Sequence, residues 1–248
     1  MKDFEGLVAV VTGAAAGIGA FTAQLLSERG ARVAMLDLND AGATGQARAW
    51  RCDVSDDDSV REAMAGVEAA FARVDIVVNN AGIGAQGSFE DAKDDEWHRL
   101  FDVNVVGIAR VTRAALPLLR RSKHASIVNV SSVVADVGVP QRAVYAATKG
   151  AVRSLSLAMA ADLVADGVRV NCVLPGTADT PWIDRLLDHL VDPQAERKSL
   201  AARQPLGRLV DPAEVAYAIA YLASPLSSAT TGSALVVDGG MSSLRLPR

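Results

Sequence analysis

Tyr145 and Lys149 stand four residues apart in a segment of helical periodicity, so they share one helix face. A free tyrosine, with a pKa near 10, is a poor base at neutral pH. An ammonium one turn away favours the phenolate and makes the pair a usable general acid/base toward an alcohol or a carbonyl. Arg142 lies three residues before Tyr145, one turn earlier on roughly the same face. A guanidinium there can hold a carboxylate through two parallel hydrogen bonds. Arg185 and Arg203 sit in a charged stretch and are further candidates for that grip. The plain alternative is that all three arginines are solvated surface residues.

A second constellation lies near the start of the chain. Thr12-Gly13-Ala14-Ala15-Ala16-Gly17-Ile18-Gly19 follows an apolar run and opens a helical one. Its glycines are spaced GxxxGxG. One can make a tight turn, one can let backbone approach a pyrophosphate, and one can let the helix pack closely on a sheet. The helix N-terminus then offers free N–H groups and the positive end of its dipole to phosphates. Asp37, followed by Leu38, ends the next apolar run. Its carboxylate can accept from ribose hydroxyls and would repel a ribose 2'-phosphate. The glycine loop carries no Arg or Lys to receive such a phosphate, so the cofactor expected is NAD rather than NADP.

Strands and helices must hold these groups, and their signals alternate from end to end. Apolar runs at 7–11, 32–36, 50–52, 75–79, 126–130, 168–173 and 234–237 read as strands. Helical patterns cover 18–29, 53–71, 96–119, 144–164 and 211–223, the last with Pro212 in its first turn. This alternation predicts an α/β fold, a single-domain doubly wound parallel sheet flanked by helices on both faces over residues 1–248. Ligands of such sheets sit off the carboxyl ends of the strands. The charged segment 180–204 follows a strand's carboxyl end and reads as a substrate lid.

Composition narrows the class of partner. The chain has 248 residues, half of them hydrophobic, and a formal net charge of -4. No basic block marks a nucleic-acid or anionic-membrane surface. No apolar stretch reaches the length of a membrane span, and Asp3 and Glu5 precede the first apolar run where a signal peptide needs positive charge. A cytoplasmic protein is expected. Cys52 and Cys172 sit in or beside strand runs and read as buried thiols. His98, His124 and His189 are scattered, and no metal site is expected.

Ordered motifs over residues 4–240 resemble the short-chain dehydrogenase/reductases. They are Thr12-Gly13 through Gly19, Asp53-Val54, Asn79-Asn80-Ala81-Gly82, Asn104, Ser131-Ser132, Tyr145-x-x-x-Lys149, Asn171, Pro175-Gly176 and Val237-Asp238-Gly239-Gly240. The resemblance implies a Rossmann fold and a hydride transfer between a nicotinamide dinucleotide and a carbon–oxygen group. It implies Tyr145 as proton donor and acceptor, with Ser132, rather than its neighbour Ser131, bonding the reacting oxygen. Lys149 would also hold the nicotinamide ribose, and Asn104 would anchor a water linking Lys149 to solvent. Gly13, Gly17, Ile18 and Gly19 would meet the phosphates, Asp53 and Val54 the adenine, and Asn80, Ala81 and Gly82 the ribose side. Pro175, Gly176, Thr177 and Thr180 would meet the nicotinamide amide.

The segments 175–181 and 202–208, together with Arg142, are similar to one branch of that family. It contains 2-keto-3-deoxy-L-fuconate and related sugar-acid dehydrogenases and type-2 (R)-3-hydroxybutyrate dehydrogenases. The resemblance implies a small substrate bearing a carboxylate, which Arg142, Arg185 and Arg203 are the candidates to hold beside Ser132 and Tyr145. A 3-oxoacyl thioester reductase, a polyol dehydrogenase and a non-catalytic nucleotide-binding module are the alternatives. The helices at 96–119 and 144–164 carry more apolar surface than one sheet face covers, and the family implies a homotetramer built on them.

Overall fold

A computed structural model describes residues 2–188 and 192–246. Seven strands form one parallel sheet in the order β3-β2-β1-β4-β5-β6-β7. They are β1 (Val8–Thr12), β2 (Arg32–Asp37), β3 (Arg48–Arg51), β4 (Ile76–Asn79), β5 (Ser126–Val130), β6 (Arg169–Pro175) and β7 (Ala234–Val237). β1 pairs with β2 on one side and β4 on the other, with Val11 opposite both Met35 and Val78. The chain winds outward in one direction from β1, then returns and winds in the other. The crevice this leaves opens where Thr12 and Asn79 end their strands.

Side chains alternate across the sheet and create two cores. Val8, Val10 and Val77 face one layer, packed by Met64 and Phe71 of α2 (Asp57–Phe71) and Leu118 of α4 (Gly107–Leu119). Ala9, Val11 and Val78 face the other, packed by Leu26 of α1 (Gly17–Glu28) and Ile219 of α8 (Pro212–Ala223). Burial on both faces is why the central strands read as unbroken apolar runs.

Several boundaries differ from those read along the chain. α2 begins at Asp57, where the Asp56 side chain accepts from the Asp58 N–H, and not at Asp53. The residues before it form a turn in which Asp53 Oδ1 accepts from the Ser55 N–H and hydroxyl. The helix expected over 96–119 is divided into α3 (Asp94–Phe101), a π-turn (Asp102–Val106) and α4. β3 begins two residues before its apolar signal and ends one residue before it, and α5 runs Ala143–Leu163.

After β6 come α6 (Pro181–Leu187) and α7 (Pro193–Ala202). Ile183, Leu187, Leu200 and Leu209 give this excursion a small core of its own. Arg197 joins the two helices by pairing with Asp184, and it also pairs with Asp179. His189, and with it residues 189–191 of the expected lid, lies outside the described residues. Both cysteines are buried, and His98 and His124 are exposed.

Candidate active site

The glycine loop is built by close approach. A Cβ on Gly19 would lie 2.0 Å from the Gly13 carbonyl oxygen, and Gly13 itself has φ +63° with a virtual Cβ 2.9 Å from Ala81 Cα. The first contact leaves no room for any side chain, and the second conformation is one that glycine adopts at little cost. Thr12 locks the loop to the segment after β4, because its hydroxyl oxygen accepts from the Asn80 and Ala81 N–H groups, each at 3.0 Å. The Asn80 amide donates in return to the Thr12 and Gly13 carbonyls. α1 starts here without a side-chain cap and without an acidic residue in its first turn. Its free N–H groups therefore face the crevice uncompensated, which suits a phosphate.

Asp37 sits at the far end of the same crevice. Its Oδ2 accepts from the Ala15 N–H at 2.9 Å and its Oδ1 from the Asn39 N–H at 2.9 Å. Oδ1 also accepts from the Asn39 side-chain amide at 3.3 Å, so the carboxylate braces the glycine loop as well as presenting charge, and Oδ2 keeps a lone pair for a ligand hydroxyl. Asp53 is held below the usual carboxylate range by its hydrogen bonds from Ser55.

Tyr145 and Lys149 lie on the first turns of α5, facing the ends of β5 and β6. The Lys149 ammonium donates to the Val130 carbonyl at 2.9 Å and lies 5.6 Å from the Tyr145 ring centroid. Burial pushes Lys149 down to about 8, partly offset by Cys172. Burial also raises the Tyr145 phenol, opposed by a hydrogen bond from Ser132 and by the charge of Arg142. The lowered tyrosine expected from the lysine's spacing is therefore not seen; loss of hydration at the phenol outweighs the nearby charges. The Ser131 hydroxyl is committed to the Lys149 carbonyl at 2.7 Å, leaving Ser132 as the serine that meets the phenol.

Asn104 lies in the π-turn. Its amide donates to the Ile83 carbonyl and the Thr148 hydroxyl and its oxygen accepts from the Ile83 N–H. A Cβ on Gly82 would meet both Asn104 Oδ1 at 3.2 Å and Lys149 Nζ at 3.5 Å, so the two polar groups converge on that glycine. Insertion of a π-turn re-aims a helical side chain, which places Asn104 inward under the site.

One cavity of about 790 Å³ joins these parts. Gly13, Gly17, Ile18, Asp37, Leu38, Asp53 and Val54 line one end, with Asn80, Ala81 and Gly82 along the middle. Ser132, Tyr145, Lys149, Pro175, Gly176, Thr177 and Thr180 line the rest, with Arg142, Arg185 and Arg203. Gly19 and Asn104 are absent from the lining: the first is consumed by helix–sheet packing and the second stands behind Gly82. Arg142 is the residue just before α5 rather than a residue within it, and its Nη1 donates to the Ala85 carbonyl at 2.9 Å. Arg203 pairs with Glu196 at 3.5 Å, whereas Arg142 and Arg185 have no carboxylate partner among the described residues. The chain pattern gave no warning of Trp182, Arg99 or Gly84, which also line the cavity. Only their proximity in the fold brings them together.

The geometry is that of a dinucleotide crevice ending in a tyrosine–serine–lysine cluster. Comparisons agree. A family profile described as enoyl-(acyl carrier protein) reductase matches residues 13–242. The chain is 42% identical to the cis-4-hydroxycyclohexanecarboxylate dehydrogenase of Sinomonas cyclohexanicum, over 96% of this chain and 98% of that one. It is 41% identical to the 2-keto-3-deoxy-L-fuconate dehydrogenase of Xanthomonas campestris pv. campestris, over 96% of this chain and 81% of the relative. Among solved structures, ligand-free aldohexose dehydrogenase of Thermoplasma acidophilum superposes with a TM-score of 0.93 at 33% identity, covering 100% and 99% of the two chains. No helix of the described residues is long and apolar enough to cross a membrane. Members of this group are nicotinamide-dependent oxidoreductases acting on CH–OH groups, and this chain belongs to it: it is a short-chain dehydrogenase/reductase.

Proposed function

We propose that the protein interconverts a secondary alcohol and a ketone on a small carboxylate-bearing substrate, using NAD. The observation that carries this reading is the position of Arg142, half-buried in the same cavity as Tyr145 and Ser132 and without a carboxylate partner among the described residues. Arg203 repels it and Glu196, paired with Arg203, attracts it; three arginines against that one carboxylate leave a cationic corner that a substrate anion would neutralise. The relatives named for a hydroxycyclohexanecarboxylate and a keto-deoxy sugar acid support an acid substrate. Asp37 supports NAD, because its charge opposes a 2'-phosphate. When bound, the nicotinamide takes up or returns the hydride. Tyr145 moves the proton at the substrate oxygen, and Ser132 holds that oxygen by hydrogen bonding. Lys149 keeps a positive charge beside the phenol and would hold the ribose of a bound cofactor. Residues 180–204 act as a lid on a single nucleotide-binding domain. The assembly is a homotetramer and the compartment the cytoplasm.

The test is Arg142→Ala assayed on a hydroxy acid and on its methyl ester. We expect kcat/KM for the acid to fall about 30-fold or more, with the ester changed less than threefold, as for loss of a desolvated ion pair. Equal losses on both, or none, sink the carboxylate reading. The second reading is reduction of a 3-oxoacyl thioester, favoured by the acyl-carrier description of the matching profile. It predicts turnover of a carrier-bound 3-oxoacyl chain and no preference for the free acid.

A further inference from the structure

Trp182 is the least explained residue of the cavity. It stands in the first turn of α6, 37 % exposed, and its ring crosses to the opposite wall. A Cβ on Gly84 would lie 2.5 Å from Trp182 Cζ2 and 3.0 Å from Cε2, so the ring is seated in a notch that only glycine leaves open. The Arg142 guanidinium carbon lies 5.7 Å from the centroid of the same ring. Arg142 is itself pinned to the loop carrying that notch, through Ala85, and Gly87 N–H donates to the Gln141 carbonyl alongside. Gln141 holds φ +59°, an uncommon value for a non-glycine residue, which that loop contact helps to sustain. The indole, the guanidinium and the 84–87 loop therefore form one packed unit at the mouth of the site.

The surroundings of that unit are chemically one-sided. Beyond the nucleotide end, the described lining consists of Val133, Val134, Val139, Ile183, Leu200 and Met241 around the reacting groups. The polar side chains there are Ser132 and Tyr145, which serve the reacting oxygen, Thr177 and Thr180, read as meeting the nicotinamide amide, and arginines, which only donate. Ser131 and the Lys149 ammonium are taken up by backbone carbonyls. No carboxylate, carboxamide or imidazole of the described lining in this part is available to accept from further substrate hydroxyls. A polyhydroxylated acid would bring several donors into a region whose side-chain acceptors are a few hydroxyls already assigned to the reacting oxygen and the cofactor, and such groups are costly to bury unpaired.

Resting on the carboxylate reading, we infer that Trp182 is a specificity-determining residue that roofs the substrate pocket and selects an acid with an apolar body, alicyclic or short aliphatic, against a polyhydroxylated sugar acid. The ring covers the hydrocarbon part, while Arg142 is held for the anion by the Ala85 carbonyl.

Two axes of substrate keep this separate from the reading beneath it. One compares a hydroxycyclohexanecarboxylate with its methyl ester. The other compares that acid with an aldonic acid of similar size, and the ring alcohol with an open-chain polyol. The wild-type enzyme should prefer the ring acid over the aldonic acid by about 100-fold in kcat/KM, the scale on which an apolar pocket rejects added hydroxyls. Trp182→Ala should erase most of that preference while the acid-to-ester ratio stays within threefold, and Trp182→Phe should retain it. Calorimetry with cyclohexanecarboxylate and NAD gives a readout without turnover, and binding should weaken at least 10-fold in the alanine variant and not in the phenylalanine one. Aldonic acid used as well as the ring acid, with the ester still rejected, overturns the role of Trp182 alone. Acid and ester used equally overturns the carboxylate reading, and the ring alcohol against the polyol then decides whether the apolar roof survives it. A Trp182→Ala enzyme with wild-type discrimination and binding overturns the inference outright.

Discussion

The Lys149 ammonium lies 5.6 Å from the centre of the Tyr145 ring, and burial acts on the two groups in opposite directions. The phenol is raised and the ammonium lowered, because each environment disfavours the charged form. Both are therefore closer to neutrality than their free counterparts, a state suited to handing a proton to and from a substrate oxygen. Tyr145→Phe removes only the hydroxyl and leaves the ring packing. We expect kcat to fall by about 10³ or more while NAD binding by fluorescence titration changes less than threefold. Retention of a tenth of the wild-type turnover would exclude Tyr145 as the acid/base.

A second prediction concerns the cost of holding Lys149 in place. Its ammonium is buried and has one carbonyl partner. The depression from 10.5 to about 8 corresponds to about 3 kcal/mol of instability in the charged form. Lys149→Met should therefore be inactive yet more stable than wild type at pH 7, by about 1–3 kcal/mol in urea titrations. Below pH 8 both folded and unfolded lysine carry the proton, so the gap is constant there. Between about 8 and 10.5 the unfolded chain binds the proton and the folded one does not, so wild-type stability rises with pH and the gap closes. A gap that widens over this window contradicts the depressed value.

How much of this was readable along the chain depends on whether a feature is local. The glycine spacing and the Tyr145–Lys149 interval are local, and both stand where the reading put them. The start of α2 was not, because Asp53, Asp56, Asp57 and Asp58 all offer a capping carboxylate, and only the turn around Ser55 selects Asp56. The π-turn at Asn104 was illegible for a different reason: its flanking residues keep helical periodicity, and the extra residue is enforced by Ile83 and Thr148 from other segments. Trp182 and Gly84 are 98 positions apart and meaningless to each other until β4 and β6 lie in one sheet.

Assembly supplies a third prediction. Val106, Leu157 and Val164, on the π-turn, on α5 and just beyond it, are 42 %, 63 % and 57 % exposed. Exposed apolar side chains on these helices are the candidates for a contact surface. Sedimentation should give four times the 25.9 kDa chain mass at micromolar concentration, and Leu157→Asp should reduce it. A clean monomer in the wild-type protein removes the proposal.

The last prediction separates the cofactor choice proposed for Asp37 from the loop bracing observed for it. Its carboxylate carries the charge proposed to oppose a 2'-phosphate, and it also accepts from the Ala15 and Asn39 N–H groups. Asp37→Ala removes both functions, so a loss of NAD affinity in that variant alone is ambiguous. Asp37→Asn removes the charge and keeps one side-chain oxygen, which can still accept from one of those N–H groups. If charge decides the cofactor, the asparagine variant should shift the NAD/NADP ratio of kcat/KM toward NADP by about 10-fold or more, with thermal stability close to wild type. Such discrimination works by a repulsive element against the competitor as much as by attraction to the preferred ligand. The alanine variant should show the same shift in ratio and in addition a raised KM for both cofactors, since the glycine loop loses its brace at Ala15. Should the asparagine enzyme keep the wild-type ratio while the alanine enzyme merely binds both cofactors poorly, Asp37 is a loop anchor and does not set the cofactor.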